Sequence, residues 1–352
     1  MSPDYMKPIE FKELVGFESD DLEQAWDVFK KSAHHIKNQS KNLRQARLTP
    51  KPFLDLCLNV SEIKSPKSRG EACDLWMRYF QPYQSSDRTI REAAFVTAYF
   101  EPILKGSLQK TREYSEPILG LPDQTARTSG AKHILPERAM IDAGCLGDQA
   151  KPLVWLQDAI EVFMVQVQGS ARVELTDGTQ KRLIYAGRNN HPYTSIGKLL
   201  IDREEIPLSA ISPETIREWV RKQGQGPEGP GRKLLHENKS YVFFDLVEDF
   251  GHESGPIGGQ GISLTPLRSI AIDRHLWFYG LPIWIEAQLP WDREEKDHFA
   301  RLMIAQDTGS AIIGGGRIDI FFGSGEQAGV RAGQIRHQAN LVYLLPKMAL
   351  QL

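Results

Sequence analysis

From the start of the chain to about residue 90, apolar positions recur at helical spacing. In "DDLEQAWDVFKKSAHH", Leu22, Trp26, Phe29 and Ala33 share one face behind Asp20 and Asp21, which can cap the helix. The stretch "GEACDLWMRYFQPY" predicts a second helix, ended by its proline. From about residue 94 the period falls toward two. "AAFVTAYFEP" reads as a strand, and so does "EVFMVQVQGSARVELTDG", where Phe163, Val165 and Val167 alternate with Met164, Gln166 and Gln168. The following "TDGT" is a hairpin turn signal. One helix interrupts these strands, with Ser212 as its cap, Pro213 in its first position, and Ile216, Trp219 and Val220 on one face.

After that helix, "KQGQGPEGPGRKLLHENKS" is dense in glycine, proline and charge and reads as a loop at a domain border. The last hundred residues return to strands, in "YVFFDLV", "PIWIEAQL", "ARLMIAQD", "RIDIFFG" and "NLVYLLP". Glycine-rich joints separate them, and no helical pattern is long enough for a series of parallel crossovers. This favours a barrel over a doubly wound sheet.

Composition adds bounds rather than chemistry. With 352 residues, 41% hydrophobic and 25% charged, the chain can bury two real cores. Forty-three basic against 45 acidic residues leave no global field to gather nucleic acid, so no nucleic-acid partner is expected. Cys57, Cys73 and Cys145 form no CxxC pair and read as buried free thiols, with a Cys57–Cys73 bridge open in an oxidising compartment. No window approaches the ~18 apolar residues of a membrane span, and "MSPDYMKPIEFKE" lacks the regions of a signal peptide. The nine histidines include no HExxH, and neither a GxSxG elbow nor a Walker loop appears. No metal, nucleotide or other cofactor is expected.

Two carboxylates stand out. Asp307 and Asp319 each sit where an apolar run meets a glycine-rich turn, in "RLMIAQDTGSAIIGGGRIDIFFGSGEQAG". Strand alternation places Ile318, Ile320 and Phe322 on one face and Arg317, Asp319 and Phe321 on the other. If the two aspartates approach closely, repulsion raises the pKa of one and makes it a general acid near neutrality. The alternative is that both cap turns through backbone amides. Other stretches offer aromatic, amide and hydroxyl groups of the kind that bind a sugar, by stacking and hydrogen bonding. These are Thr97, Tyr99 and Phe100 in "TAYFEP"; Gln168, Gly169 and Ser170 in "VQVQGS"; and Tyr185, Asn189, Tyr193 and Ser195 in "YAGRNNHPYTSIGK". Their structural alternative is tyrosines in the core and a plain turn at Asn-Asn-His-Pro.

Taken together, "TAYFEP", "VQVQGSARVELTDGTQKRLIYAGRNNHPYTSIGKLLIDR" and "AQDTGSAIIGGGRIDIFFGSGEQAGVRAG" resemble the membrane-bound lytic murein transglycosylase A family, in the right order from about residue 90 onward. The resemblance implies a mainly β protein with an α-helical N-terminal part. It would comprise a double-psi β-barrel domain from residues 1–100 and 248–352 and a smaller inserted β domain at 101–247, with a glycan groove between them. It matches the three family aspartates to Asp273 in "AIDR", Asp307 in "AQDTG" and Asp319 in "RIDIFFG", and assigns Asp319 as acid and base with Asp307 tuning it. Peptidoglycan glycan strands are the implied partner, the chain acting as a monomer. The location implied is the periplasm or outer membrane, although the chain carries neither an export signal nor a lipidated cysteine near its start, so outer-membrane association is not supported by the sequence.

The implied reaction cleaves the β-1,4 bond between N-acetylmuramic acid and N-acetylglucosamine and leaves a 1,6-anhydro end. One carboxylic acid suffices for it, because the substrate's own C6 hydroxyl attacks, whereas an ordinary glycosidase needs a second carboxylate. The alternatives are a conventional two-carboxylate muramidase, an aspartic-type dyad cutting peptide bonds, and a cell-wall binding protein without activity.

Overall fold

The computed structural model describes residues 6–85, 94–122, 134–248, 255–291 and 297–347. Its strands, in chain order, are β1 (Met6–Pro8), β2 (Phe80–Ser85), β3 (Phe95–Glu101), β4 (Ile103–Gly106), β5 (Glu116–Leu119), β6 (Pro152–Leu156), β7 (Ala171–Leu175), β8 (Gln180–Arg188), β9 (Val242–Glu248), β10 (Ser269–Ile272), β11 (Pro282–Leu289), β12 (Asp297–Asp307), β13 (Arg317–Ser324) and β14 (Arg336–Pro346). The chain divides into two compact units. The first contains Met1–Phe100, Ile257–Gly323 and Gln327–Leu352, and the second Glu101–Pro256 with Ser324–Glu326.

In the first unit the strands run in the order β14-β11-β12-β10-β13-β3, and β3 pairs back onto β14 to close a six-stranded barrel, with β2 and β1 continuing from β14. Closure removes the free edges that an open sheet of such apolar strands would leave. The short β10 pairs parallel with β12 and antiparallel with β13. That arrangement puts Ala271 of β10 opposite Asp307 on one side and Asp319 on the other.

The helical N-terminal part packs on this barrel. Leu22, Trp26, Phe29 and Ala33 of the Leu22–Lys37 helix are all fully buried, in one core with Trp76, Trp284 and Ile304. Asp21 caps that helix by accepting from the Gln24 amide, and Asp20 does something else. Its carboxylate receives both terminal nitrogens of buried Arg268 at 2.7 Å, and also the Leu302 amide of β12 at 2.9 Å. Arg268 spends its remaining donors on Gln24 Oε1 and the carbonyls of Asp21 and Leu302. Helix and barrel are thus joined by a fully hydrogen-bonded buried pair, the condition under which such a pair is tolerated.

The second unit holds a four-stranded sheet, β4-β7-β8-β9, and the β5-β6 pair, with several short helices. The expected "TDGT" turn joins β7 to β8, with Gly178 at φ 84°. Buried Glu101 accepts from Arg172 and pairs with Arg182 here.

Four expectations are overturned. "AIEVFMVQVQ" is the helix Ala159–Gln168, capped by Asp158 at its start and closed by Gly169 at φ 84°. It is buried on nearly every side, from Ile160 to Gln166, so the helical period is erased and a chance alternation is left. The glycine- and proline-rich stretch is no border loop: Pro230–Glu237 is a helix inside the second unit, begun by Pro230 and packed through Leu234 and Leu235. The helix of "GEACDLWMRYFQPY" stops at Tyr79, and the rest is strand β2, with Pro82 inside the ladder. All three cysteines are free; Cys57 is buried and Cys73 half-buried, with no bridge between them, while Cys145 is exposed rather than buried. Burial pushes the Cys57 thiol up to about 12, so it is inert packing. No helix among the described residues is long and apolar enough to cross a membrane.

The Arg268 pair gives a stability test. Arg268→Met strands the Asp20 carboxylate without its cation, and the urea midpoint should fall by the equivalent of roughly 3–5 kcal/mol. Removing both partners in Asp20→Leu/Arg268→Met should cost clearly less than the sum of the two single changes.

Candidate functional site

The three aspartates lie around one end of the barrel, and their environments separate them. Asp273, just beyond β10, is 4% exposed and accepts from the amides of His275 and Gly314, so it ties the loop before β13 to β10. Asp307, at the end of β12, accepts from the Gly259 amide at 2.7 Å, its neighbour Thr308 at 2.8 Å and the Tyr99 hydroxyl at 2.7 Å. Gly259 is needed for that approach, since a Cβ there would lie 2.4 Å from the Tyr279 hydroxyl. The backbone-capping alternative therefore holds for Asp307 of the pair, and Asp273 is capped in the same way.

Asp319 differs. Its Oδ1 accepts from the Thr97 hydroxyl of β3, and no backbone amide reaches its carboxylate among the described residues. The residue is half-buried, between Arg317 and the fully buried Phe321 along the face of β13. Phe321 belongs to a small apolar cluster with Tyr99, Leu264, Ala271 and Ile312, and its ring packs 5.4 Å from that of Tyr99. Burial beside this cluster pushes the carboxyl up from 3.8 to about 6. The Thr97 hydrogen bond and the Arg317 charge pull the other way, and Asp307 adds the smallest upward push.

Burial is therefore the main cause of the raised acid, and repulsion from Asp307 a minor one. Both aspartates face Ala271 from opposite sides, so their backbones stand two ladder spacings apart, roughly 9–10 Å. Asp307 is an occupied acceptor, and Tyr99 is held as its donor, with a hydroxyl pushed well above its ordinary value mainly by burial and then by Asp307.

The remaining candidates are dispersed. Thr97 and Tyr99 join the aspartates, whereas Phe100 packs over Gly329 of the Glu326–Gly333 helix, where a Cβ would meet its ring at 2.8 Å. Alternation along β3 puts it on the face away from Thr97 and Tyr99. Gln168, Gly169 and Ser170 end a helix in the second unit rather than lining a strand. Tyr185 lies half-buried on β8, and burial raises the Tyr193 hydroxyl while Arg138 and Ser195 pull it the other way. Asn189 is a fully buried brace, bonded to Pro136, Lys239 and Tyr241, and Ser195 caps a helix. Residues that the sequence did not single out complete the acid's surroundings: Arg317 donates to Thr97, and Arg44 donates to the carbonyl of Thr308. Alternation had placed Arg317 beside Asp319, and that was the available signal. Among the described residues no cluster of His, Cys, Asp and Glu could hold a metal ion.

The ionisation cost of Asp319 predicts a pH-dependent stability. A carboxyl moved from 3.8 to about 6 favours the folded state when protonated, so this advantage is complete below 3.8 and lost as pH rises through about 6. Thermal unfolding of wild type against Asp319→Asn should show the wild type losing up to roughly 3 kcal/mol relative to the variant across that window.

Comparison with known proteins places this geometry in context. Residues 95–245 match the model of the MltA-specific insert domain, and residues 268–345 that of the 3D domain. The chain is 34% identical over 248 residues to the membrane-bound lytic murein transglycosylase A of Vibrio cholerae and 35% identical over 246 residues to that of Escherichia coli K12. Each match covers 68% of this chain but 62% of the relative's length. Among solved structures, a membrane-bound lytic murein transglycosylase from Agrobacterium tumefaciens is similar at a TM-score of 0.83 and 32% identity, over 97% of both chains. The E. coli MltA structure with bound chitohexaose is similar at 0.69 and 27% identity, over 92% of this chain and 90% of that one.

Proposed function

Since the chain belongs to the membrane-bound lytic murein transglycosylase A family, we propose that it cleaves peptidoglycan glycan strands between N-acetylmuramic acid and N-acetylglucosamine, with Asp319 as the single acid and base. The observation that carries this reading is a carboxyl raised to about 6 on a closed barrel wall, beside two aspartates already spent on backbone amides.

Below about pH 6 Asp319 is protonated in an appreciable fraction and gives its proton to the glycosidic oxygen as that bond to C1 breaks. The C6 hydroxyl of the same muramic acid ring then bonds to C1, and the Asp319 carboxylate takes the hydroxyl proton. The acid is restored, and the muramic acid ends as a 1,6-anhydro sugar without consuming water. Attack from within the ring has the advantage of a tethered nucleophile, worth several kcal/mol in a suitable pucker. A hydrolytic route would need a second free carboxylate to activate water. Asp307 accepts from three donors and Asp273 from two amides, which favours the intramolecular route.

In this reading Thr97 and Tyr99 hold the acid face rather than bind sugar, and Gln168, Ser170, Tyr185 and Tyr193 of the second unit remain candidate glycan contacts. The relatives named membrane-bound support a place in the cell envelope.

The test is digestion of purified murein sacculi in water enriched in oxygen-18, followed by mass spectrometry. Unlabelled anhydro ends are expected from wild type, with no release by Asp319→Asn. Labelled reducing ends would instead mean hydrolysis, and activity in the variant would remove Asp319 from the chemistry. The wild-type kcat/KM should fall about tenfold per pH unit on the alkaline side of about 6, because only the protonated acid starts the reaction.

A further inference from the structure

Resting on the acid role of Asp319, we infer that Arg317 is a positioning residue, which fixes the sense of the Thr97 to Asp319 hydrogen bond and so confines the transferable proton to Asp319 Oδ2. Arg317 Nη2 lies 2.8 Å from Thr97 Oγ1, and a guanidinium only donates. Thr97 oxygen is therefore the acceptor there, and its one hydroxyl hydrogen is left to point at Asp319 Oδ1.

A proton on Oδ1 would then meet the Thr97 hydrogen head-on. The neutral acid carries its proton on Oδ2, which takes no hydrogen bond among the described residues and is not among the side-chain oxygens sealed from solvent. Without Arg317 the Thr97 hydroxyl could turn and accept from a protonated Oδ1. The proton would then be held by the protein instead of facing the substrate.

Arg317 is itself well anchored for this task. Its Nη1 donates to the Ile318 carbonyl at 2.8 Å and to that of Phe95 at 3.4 Å, and its plane lies over the Phe95 ring at 5.4 Å. Burial pulls its pKa below the ordinary arginine value while Asp319 raises it, and arginine stays cationic under any assay condition. Other groups around the acid do not supply this restraint. β10 presents Ala271, β12 presents Asp307, and β3 presents Tyr99, whose hydroxyl is committed to Asp307. Across the β3–β14 ladder Arg336 stands opposite Thr97, with His337 opposite Val96, and Arg44 acts on Tyr99. Among the described residues, Arg317 is the cation whose charge bears on Asp319.

The test is a ¹³C NMR titration of the Asp319 carboxyl in ligand-free protein, combined with the pH profile of turnover. Arg317→Gln should raise the Asp319 midpoint by about half a pH unit or more, move the alkaline limb upward by the same amount, and lower turnover at pH 5 roughly tenfold. Thr97→Val should raise the midpoint too, whereas Thr97→Ser, which keeps the hydroxyl, should titrate like wild type. Arg317→Gln should therefore shift the midpoint clearly less in the Thr97→Val background, where only its direct charge is lost, than in wild type.

An equal shift in both backgrounds would leave Arg317 acting by its direct charge alone and overturn the relay, as would no shift at all. Arg317→Met, which keeps the apolar stem, is the second variant should Arg317→Gln fail to fold. The titration needs no substrate. A hydrolytic product would thus refute the transglycosylase reading without touching the relay, and a failed relay would leave Asp319 as the acid.

Discussion

The site depends on the imbalance at Asp319 between loss of water and partial replacement of it. A carboxylate usually gains from two or three donors, and Asp273 and Asp307 have them. Asp319 has one hydroxyl and a nearby guanidinium, against the apolar cluster of Tyr99, Ala271 and Phe321. Burial wins, and the acid settles near 6 rather than deep in the carboxylate range. More donors would make a permanently ionised anchor, and fewer would make an acid that never yields its proton.

Barrel topology creates that imbalance. The parallel pairing of β10 with β12, and its antiparallel pairing with β13, brings two distant segments to the level of Ala271. Closure through β3 and β14 delivers Thr97 to the same place. The helical N-terminal part steadies the frame from outside, through the Arg268–Asp20 pair and the chain of Ser32, Gln306 and Ser269, whose Gln306 directly precedes Asp307. The perturbed carboxyl is thus held by a rigid scaffold, as accurately placed functional groups generally require.

Much of this was legible in the sequence, unevenly. Strand alternation set Arg317, Asp319 and Phe321 on one face, and the apolar C-terminal strands separated by glycine joints pointed to a barrel. Buried elements were read less well. The Ala159–Gln168 helix has no polar stripe, so its period could not be seen, and Pro230 marked the start of a helix inside a stretch that composition alone assigns to a loop. Which aspartate escapes capping by backbone amides could not be read from spacing either. It depends on amides from Gly259, His275 and Gly314, two of which are far along the chain from the carboxylates they cap. Arg317 stood two residues from the acid, but its use needed the partner strand that brings Thr97.

The central claim is that the folded protein keeps the Asp319 carboxyl protonated up to about pH 6, well above the ordinary aspartate range. Infrared difference spectroscopy of wild type against Asp319→Asn reads that group directly, through the band of a neutral carboxyl in the wild type that the variant lacks. The account predicts that this band disappears with a midpoint near pH 6. Disappearance near 3.8, the ordinary value for an aspartate, would contradict it.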